Sequence, residues 1–193
     1  MSDKMDFTVN SELAVRQSSI PGLLDIGLVV HGDNRGYFKE NYQAAKLKEL
    51  GLPADFEPVQ NNISFNAERG VTRGIHAEPW DKFISVAQGE VFAAIVDLRA
   101  GSATFGVVET FRLDAGRAIF VPRGCGNSFQ TLTNNVTYTY LVNEHWSPEA
   151  SYTMLNLADP TVAIEWPISL EEATISDKDQ AHPLLADLTP MEV

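Results

Sequence analysis

Short segments rich in β-branched and aromatic residues recur from Val59 onward, and Gly, Pro, Asn and Asp fill the gaps between them. Many short strands joined by turns are typical of a sandwich or a jelly-roll barrel. The segments are 59–65, 71–76, 82–87, 91–98, 105–113, 117–121, 128–132 and 136–142. Segment 91–98 is continuously apolar, which predicts a strand buried on both faces. The chain is therefore predicted to be all-β.

The flanking regions predict a few short helices. Residues 44–50 have helical composition and stop at Gly51. Residues 164–167 predict a last strand and 170–173 one helical turn, whereas 1–20 carry little pattern and 175–179 are simply polar. No linker or repeat interrupts the chain, so residues 1–193 are predicted to form one domain with a core at about 59–167.

Composition excludes several classes of function. A net charge of −12 argues against a nucleic-acid binder, because phosphates are repelled by an acidic surface. No apolar run is long enough to span a bilayer, and the first residues lack the pattern of a signal peptide. Cys125 is the single cysteine, so no internal disulfide can form. These features favour the cytoplasm and predict no membrane partner.

A histidine and a lysine, His76 and Lys82, flank a predicted turn at Pro79. Because strand side chains alternate, Lys82 should share a face with Ile84 and Val86 and point into the interior. A lysine is rarely buried without a reason, and a histidine can move a proton near neutral pH. The pattern predicts a base and a cation facing one pocket, although a lone strand histidine is more often structural.

Proton transfer is the chemistry that the other candidates fit best. Tyr138 and Tyr140 share a face of one predicted strand, and a phenol facing a pocket can donate a proton. Asp179 could orient a histidine or could equally be a solvated surface residue. Cys125 follows an arginine by two positions, but a small residue filling a tight loop is the simpler interpretation.

A metal centre is not predicted. The four histidines, His31, His76, His145 and His182, lie more than five residues apart, and segment 128–132 offers no further ligand. His76 and Glu78 do share one strand face.

Several strings, taken in order, resemble the dTDP-4-dehydrorhamnose 3,5-epimerase family of cupin-type jelly-roll enzymes. The strings are 32–40, 60–64, 71–76, 96–99, 120–124, 159–160, 164–167 and 175–179. Each is modest alone, but the ordered set covers about residues 20 to 187 and is highly specific. Segment 76–82 is similar to the shorter-loop branch of the family.

The resemblance implies a reaction and roles for four residues. The substrate would be dTDP-4-keto-6-deoxy-D-glucose, whose ketone acidifies the hydrogens at C3 and C5. His76 would remove them, Asp179 would orient His76, Lys82 would stabilise the enolate oxygen, and Tyr140 would return a proton from the opposite face. The reaction involves no redox change, so neither a cofactor nor a metal is implied. The product would be dTDP-4-keto-L-rhamnose, within dTDP-L-rhamnose biosynthesis.

The resemblance also implies a homodimer and a set of substrate contacts. Segment 20–50 would reach the partner subunit, where part of it contacts the nucleotide. The contact residues carried over by matching position are Arg35, Phe38 and Glu40 in that segment, and Gln60, Asn62, Ser64, Arg73, Asn127, Trp146 and Lys178 elsewhere.

Three positions depart from the pattern of many family members. Asn127 stands where many have His, Trp146 where many have Tyr, and Ala93 where many have Asp. The four proton-transfer residues are present, so these departures bear on nucleotide binding rather than on chemistry. Alternatives are an epimerase that inverts only C3 or only C5, a non-catalytic cupin that binds sugar nucleotides, and a metal-dependent cupin oxygenase.

Overall fold

A computed structural model describes residues 7–193. The first six residues, on which the prediction of no signal peptide rests, lie outside the described residues. Residues 7–193 contain thirteen strands and two short helices. The strands are β1 (Ala14–Gln17), β2 (Leu24–Gly27), β3 (Val30–Asp33), β4 (Gly36–Lys39), β5 (Gln60–Asn66), β6 (Thr72–Ala77), β7 (Lys82–Gln88), β8 (Val91–Asp97), β9 (Val108–Leu113), β10 (Arg117–Val121), β11 (Cys125–Thr131), β12 (Val136–Val142) and β13 (Thr153–Met154). The helices are α1 (Ala44–Glu49) and α2 (Asp177–Gln180).

Two antiparallel sheets form a sandwich, and a separate hairpin of β3 and β4 projects from it. The larger sheet has the order β1-β2-β10-β7-β12-β5, and the smaller has the order β13-β6-β11-β8-β9. Apart from the β8–β9 and β1–β2 pairs, sheet neighbours are distant in sequence, as a jelly roll requires. The predicted all-β fold is confirmed.

The hydrophobic core lies in three clusters. The cluster between the sheets contains Ile84 and Val86 of β7, and Ala93 and Ile95 of β8. A second cluster, which includes Phe83, packs α1 against the outer face of the larger sheet. The third fills the space between the smaller sheet and the C-terminal segment. Successive residues of β7 thus serve opposite faces, which is the alternation expected of a strand buried on both sides.

The edge strand β5 shows the clearest inside–outside pattern. Asn61, Ile63 and Phe65 are exposed, whereas Asn62 and Ser64 point inward and are partly buried. Tyr140 of β12 lies opposite Asn62, and Tyr138 lies opposite Ser64. Directly opposed residues point to the same side of a sheet, so this register places both tyrosines on the inner face.

Several local predictions were wrong. Residues 164–167 form no strand, and turns occupy the start of 105–113, where the Phe105 N–H bonds to the Ser102 carbonyl. Strand β1 was not predicted, because its order comes from pairing with β2 rather than from its own pattern. Helix α2 was also missed; it begins where the Ser176 hydroxyl accepts a hydrogen bond from the Asp179 N–H.

The helix predicted at 44–50 is confirmed as α1, and Gln43 caps it. Within residues 7–193, neither helix is long and apolar enough to cross a membrane.

Candidate active site

A cavity of about 200 Å³ opens between the two sheets. Side chains from both sheets line it, and they combine positive, negative and proton-donating groups. The lining residues are Ser64, Arg73, His76, Glu78, Lys82, Asn127, Phe129, Tyr138 and Tyr140. Larger cavities lie beside the β3–β4 hairpin and beside the C-terminal segment, but this smaller one holds His76, Lys82 and Tyr140 together.

The chain crosses from one sheet to the other at the bend near Pro79. Strand β6 belongs to the smaller sheet and β7 to the larger, so His76 and Lys82 come from opposite sheets. Strands β6 and β7 are consecutive along the chain but do not pair with each other. Asp81 fixes the crossover, because its N–H bonds to Asn143 at 2.9 Å and its carboxylate pairs with Arg123 at 2.8 Å.

His76 is held by a carboxylate from the far end of the chain. Its Nε2 lies 2.8 Å from Asp179 Oδ1, and the Asp179 side chain is 9% exposed. Burial favours the neutral acid, but the hydrogen bond and the charge of His76 outweigh it, so the pKa of Asp179 lies below its ordinary value. The ionised carboxylate accepts a hydrogen bond from the Nε2–H of His76, which leaves Nδ1 free to act as a base.

A second histidine, His182, reaches the same carboxylate and was not predicted as a site residue. Its Nε2 lies 3.2 Å from Asp179 Oδ1, and its ring stands 5.5 Å from the ring of His76. Burial and then the charge of His76 lower the pKa of His182, which favours the neutral imidazole. His182 lies just beyond the end of α2, three residues after Asp179, and no local pattern in the sequence marked it as a site residue.

Distance along the sequence does not keep the potential metal ligands apart in this cluster. Ligand atoms of His76, Asp179 and His182 lie within 4.8 Å of one another. Two imidazoles and a carboxylate are a donor set that zinc can use. Hydrogen bonds from both rings to Asp179 Oδ1 account for the arrangement as it stands.

Lys82 points into the cavity, as the alternation of β7 predicted. Its side chain is 4% exposed; its ammonium pairs with Glu78 at 2.9 Å and donates to Asn127 Oδ1 at 2.6 Å. An ammonium has three N–H donors, so these two contacts leave one for a ligand. The sequence predicted only that Glu78 shares a strand face with His76. Its pairing with Lys82, four residues later and across the bend, was not predicted.

The two tyrosines differ in their surroundings. Tyr138 is fully buried, stacks on Phe129 at 4.2 Å, and its hydroxyl lies 3.3 Å from Asn127 Nδ2. Tyr140 is partly exposed to the cavity, and burial followed by the Glu78 carboxylate raises the pKa of its phenol. The phenol is therefore protonated at neutral pH and available as an acid, on the sheet opposite to that of His76.

The structure brings some of the other predicted contact residues to the cavity. Ser64 and Asn127 line it, and Arg73 lies exposed at its rim with Nε bound to Asn66 Oδ1 at 3.0 Å. Gln60 and Asn62 extend the same face of β5 beyond the lining and bond to each other at 3.0 Å.

Trp146 and Lys178 lie farther out. The Trp146 N–H bonds to Gln60 Oε1 at 3.1 Å, and its side chain is exposed. Lys178 is exposed on α2 and lines the cavity beside the C-terminal segment instead. Ala93 is buried in the core opposite Phe129 and has no access to the site.

The segment predicted to reach a partner lies outside this cavity in its own chain. Arg35 has an 85% exposed side chain paired with Asp33, and Phe38 is 69% exposed. Glu40 pairs with Lys46 at 2.5 Å. Lys39 anchors the hairpin, because its ammonium donates to the carbonyls of β7 and the β9–β10 turn at 2.8 and 3.0 Å.

A carboxylate-held histidine, a buried lysine and a protonated tyrosine face one cavity of this sandwich. Such a set can remove a proton and return one from the other side, which is the chemistry of an epimerase. A sequence profile described as dTDP-4-dehydrorhamnose 3,5-epimerase matches residues 17–187. The chain therefore belongs to the dTDP-4-dehydrorhamnose 3,5-epimerase family.

Individual relatives agree with this assignment. A protein from Streptococcus pyogenes named "Protein RmlC homolog" is 48% identical over 187 residues, which cover 93% of each chain. A dTDP-4-dehydrorhamnose 3,5-epimerase from Pseudomonas aeruginosa is 34% identical, over 88% of this chain and 94% of the relative. The structure of RmlC from Streptococcus suis in complex with dTDP-D-xylose superposes with a TM-score of 0.89 and 48% identity, over 95% of this chain and 97% of that one.

Proposed function

We propose that this chain converts dTDP-4-keto-6-deoxy-D-glucose to dTDP-4-keto-L-rhamnose by inverting C5 and C3. The observation that carries the proposal is the placement of His76 and Tyr140 on opposite sheets, with Lys82 in the same cavity. Family membership supplies the substrate. The reaction belongs to dTDP-L-rhamnose biosynthesis, and the single buried cysteine supports a cytoplasmic location.

Each inversion is a pair of proton transfers on opposite faces of the sugar. His76 Nδ1 takes the proton from the carbon beside the C4 ketone, and the electron pair of that bond forms an enolate. Lys82 directs its remaining N–H at the enolate oxygen, where negative charge develops. Tyr140 then gives its phenolic proton to the carbon from the other side. Solvent afterwards removes the proton from His76 and restores the one on Tyr140.

The cavity accommodates the sugar and leaves the nucleotide outside. Its volume of about 200 Å³ falls below the ~300–1,000 Å³ typical of sites that enclose a whole ligand. Arg73 at the rim is placed to meet the pyrophosphate, since a guanidinium binds phosphate oxygens in a fork. The remaining substrate contacts assigned to this chain are Gln60, Asn62, Ser64, Asn127, Trp146 and Lys178.

The partner subunit completes the nucleotide site in the proposed homodimer. The exposed hairpin carries Arg35 and Phe38, and Glu40 follows it; a guanidinium suits phosphate and an aromatic face suits the base. Mixing two inactive variants, Arg35→Ala and His76→Ala, tests this arrangement. A heterodimer would then hold one site with both defects and one intact site, so activity should reappear on mixing. No recovery would place Arg35 in the site of its own chain, and full activity of Arg35→Ala alone would place it outside any site.

The decisive experiment is incorporation of solvent deuterium into dTDP-4-keto-6-deoxyglucose, followed by NMR at C3 and C5. The wild type should label both carbons and His76→Ala neither, while His76→Ala still binds dTDP in calorimetry. Label at one carbon would indicate a single-site epimerase. Retained exchange in His76→Ala would show that another group is the base, and no label in the wild type would favour a sugar-nucleotide-binding protein.

A further inference from the structure

Glu78 places a negative charge in the cavity where the proposed reaction binds an anionic substrate. The substrate is anionic, and further negative charge develops on the enolate oxygen beside Lys82. Yet Glu78 lines the cavity with a side chain that is 16% exposed, and its Oε2 lies 2.9 Å from the ammonium of Lys82. A carboxylate in this position would weaken binding unless it served the reacting groups in another way.

The first of these groups is Lys82. Its ammonium sits at the end of a flexible four-carbon stem and is almost fully buried. A buried charge without an opposite charge is costly, and the other polar contact, Asn127 Oδ1 at 2.6 Å, is neutral. Glu78 and Asn127 together fix two N–H donors and thereby aim the third at the ligand space.

The second group is Tyr140. The ionisable groups that share the cavity with it are Arg73, His76, Glu78, Lys82 and Tyr138. Burial raises the pKa of Tyr140 most, and Glu78 raises it further, because a neighbouring carboxylate disfavours the phenolate. Glu78 therefore opposes early loss of the proton that Tyr140 must deliver.

We propose that Glu78 is a positioning residue that holds the ammonium of Lys82 in its working orientation, with the third N–H aimed at the enolate oxygen. The inference rests on the proposed epimerase function. It explains why a carboxylate belongs in an anion-binding cavity: the carboxylate orients the ammonium that stabilises the enolate.

Three variants separate charge from placement. Glu78→Gln keeps the shape and removes the charge, whereas Glu78→Asp keeps the charge but shortens the side chain by one methylene. Glu90→Gln is the control, because it removes a carboxylate paired with Arg112 at 2.6 Å outside the cavity. Far-UV circular dichroism and thermal unfolding of each variant report whether the fold is intact.

The pH dependence of kcat is the first readout. In Glu78→Gln the phenol loses a neighbouring negative charge, so the pKa of Tyr140 falls and the alkaline limb should move to lower pH. We expect kcat at neutral pH to fall roughly 10- to 100-fold, as misplacement of a reacting group does, with KM not raised. Glu78→Asp should keep the alkaline limb of the wild type at a reduced kcat, and Glu90→Gln should match the wild type in both.

The second readout does not depend on activity. Tyrosine labelled with ¹³C at Cζ allows the phenol of Tyr140 to be titrated by NMR, with Tyr140→Phe identifying its signal. The signal should titrate at lower pH in Glu78→Gln than in the wild type. If the wild-type protein unfolds at alkaline pH before its phenol titrates, titration should be seen in the folded variant only. A folded Glu78→Gln that keeps the kcat, the alkaline limb and the phenol titration of the wild type would overturn the inference. A wild type without deuterium exchange would instead count against the epimerase function.

Discussion

Replacement of Asp179 by Asn should lower kcat strongly and leave the affinity for the nucleotide unchanged. Asp179 Oδ1 accepts from His76 at 2.8 Å and from His182 at 3.2 Å, behind the cavity rather than in it. An amide keeps the volume but loses the charge that favours the Nε2–H tautomer of His76. If the amide flips by 180°, its NH₂ group would also face the N–H groups of the two imidazole rings, which cannot accept a hydrogen bond.

The magnitude follows from the bond that orients the base. A hydrogen bond to a charged group contributes about 1.5–3 kcal/mol, and every 1.36 kcal/mol is a tenfold change in rate. The side chain is 9% exposed, so solvent screening removes little of this contribution. Loss of the orienting bond should therefore lower kcat by roughly 10- to 150-fold at neutral pH.

The assay is exchange of substrate hydrogens with deuterated solvent, measured beside calorimetric binding of dTDP. Asp177→Asn is the matched control, because it removes an exposed carboxylate from the same short helix. We expect the control to exchange at the wild-type rate. If Asp179→Asn keeps kcat within about threefold of the wild type, below the range worked out above, Asp179 does not orient the base.

Three further outcomes are expected. Tyr140→Phe should impair inversion more than wash-in of deuterium by NMR; equal losses would remove Tyr140 as the acid. Asp97→Ala should lower the free energy of unfolding by about 3–5 kcal/mol in urea, since it strands a guanidinium partner. Burial opposes ionisation there, but hydrogen bonds lower the pKa of Asp97, so its contribution is present near neutral pH and lost as pH falls through the acid range. Gly74→Ala should lower the free energy of unfolding more than Gly51→Ala. Both glycines have a positive φ, but an added Cβ at Gly74 would lie 2.5 Å from the Cβ of Ser128, whereas at Gly51 it would meet nothing within 4 Å.

The local sequence pattern predicted those features that depend on residues close together along the chain. Alternation along β7 was enough to put Lys82 on the inner face, and turn residues marked most strand ends. Strand β1 and the meeting of His182 with His76 could not be predicted this way, since both depend on partners far away in sequence.

Asp179 shows this limit most plainly. It lies 103 residues from His76 and sits in a polar stretch that resembles a solvated surface. Only family resemblance assigned it a role before the structure placed it against the imidazole. The partnership of Glu78 with Lys82 was missed for a different reason, because it depends on the geometry of the bend rather than on either strand.

The crossover between β6 and β7 limits which changes of length this chain can accept without loss of the Glu78–Lys82 pair. Surface connections usually tolerate changes of length. Strand β7, however, is held in register on both sides, by β10 and by β12, so an added residue could not be absorbed by sliding the strand. It would instead displace Glu78 from Lys82. In this chain the length of the four-residue connection from Glu78 to Asp81, and not only its composition, therefore sets the contact between Glu78 and Lys82.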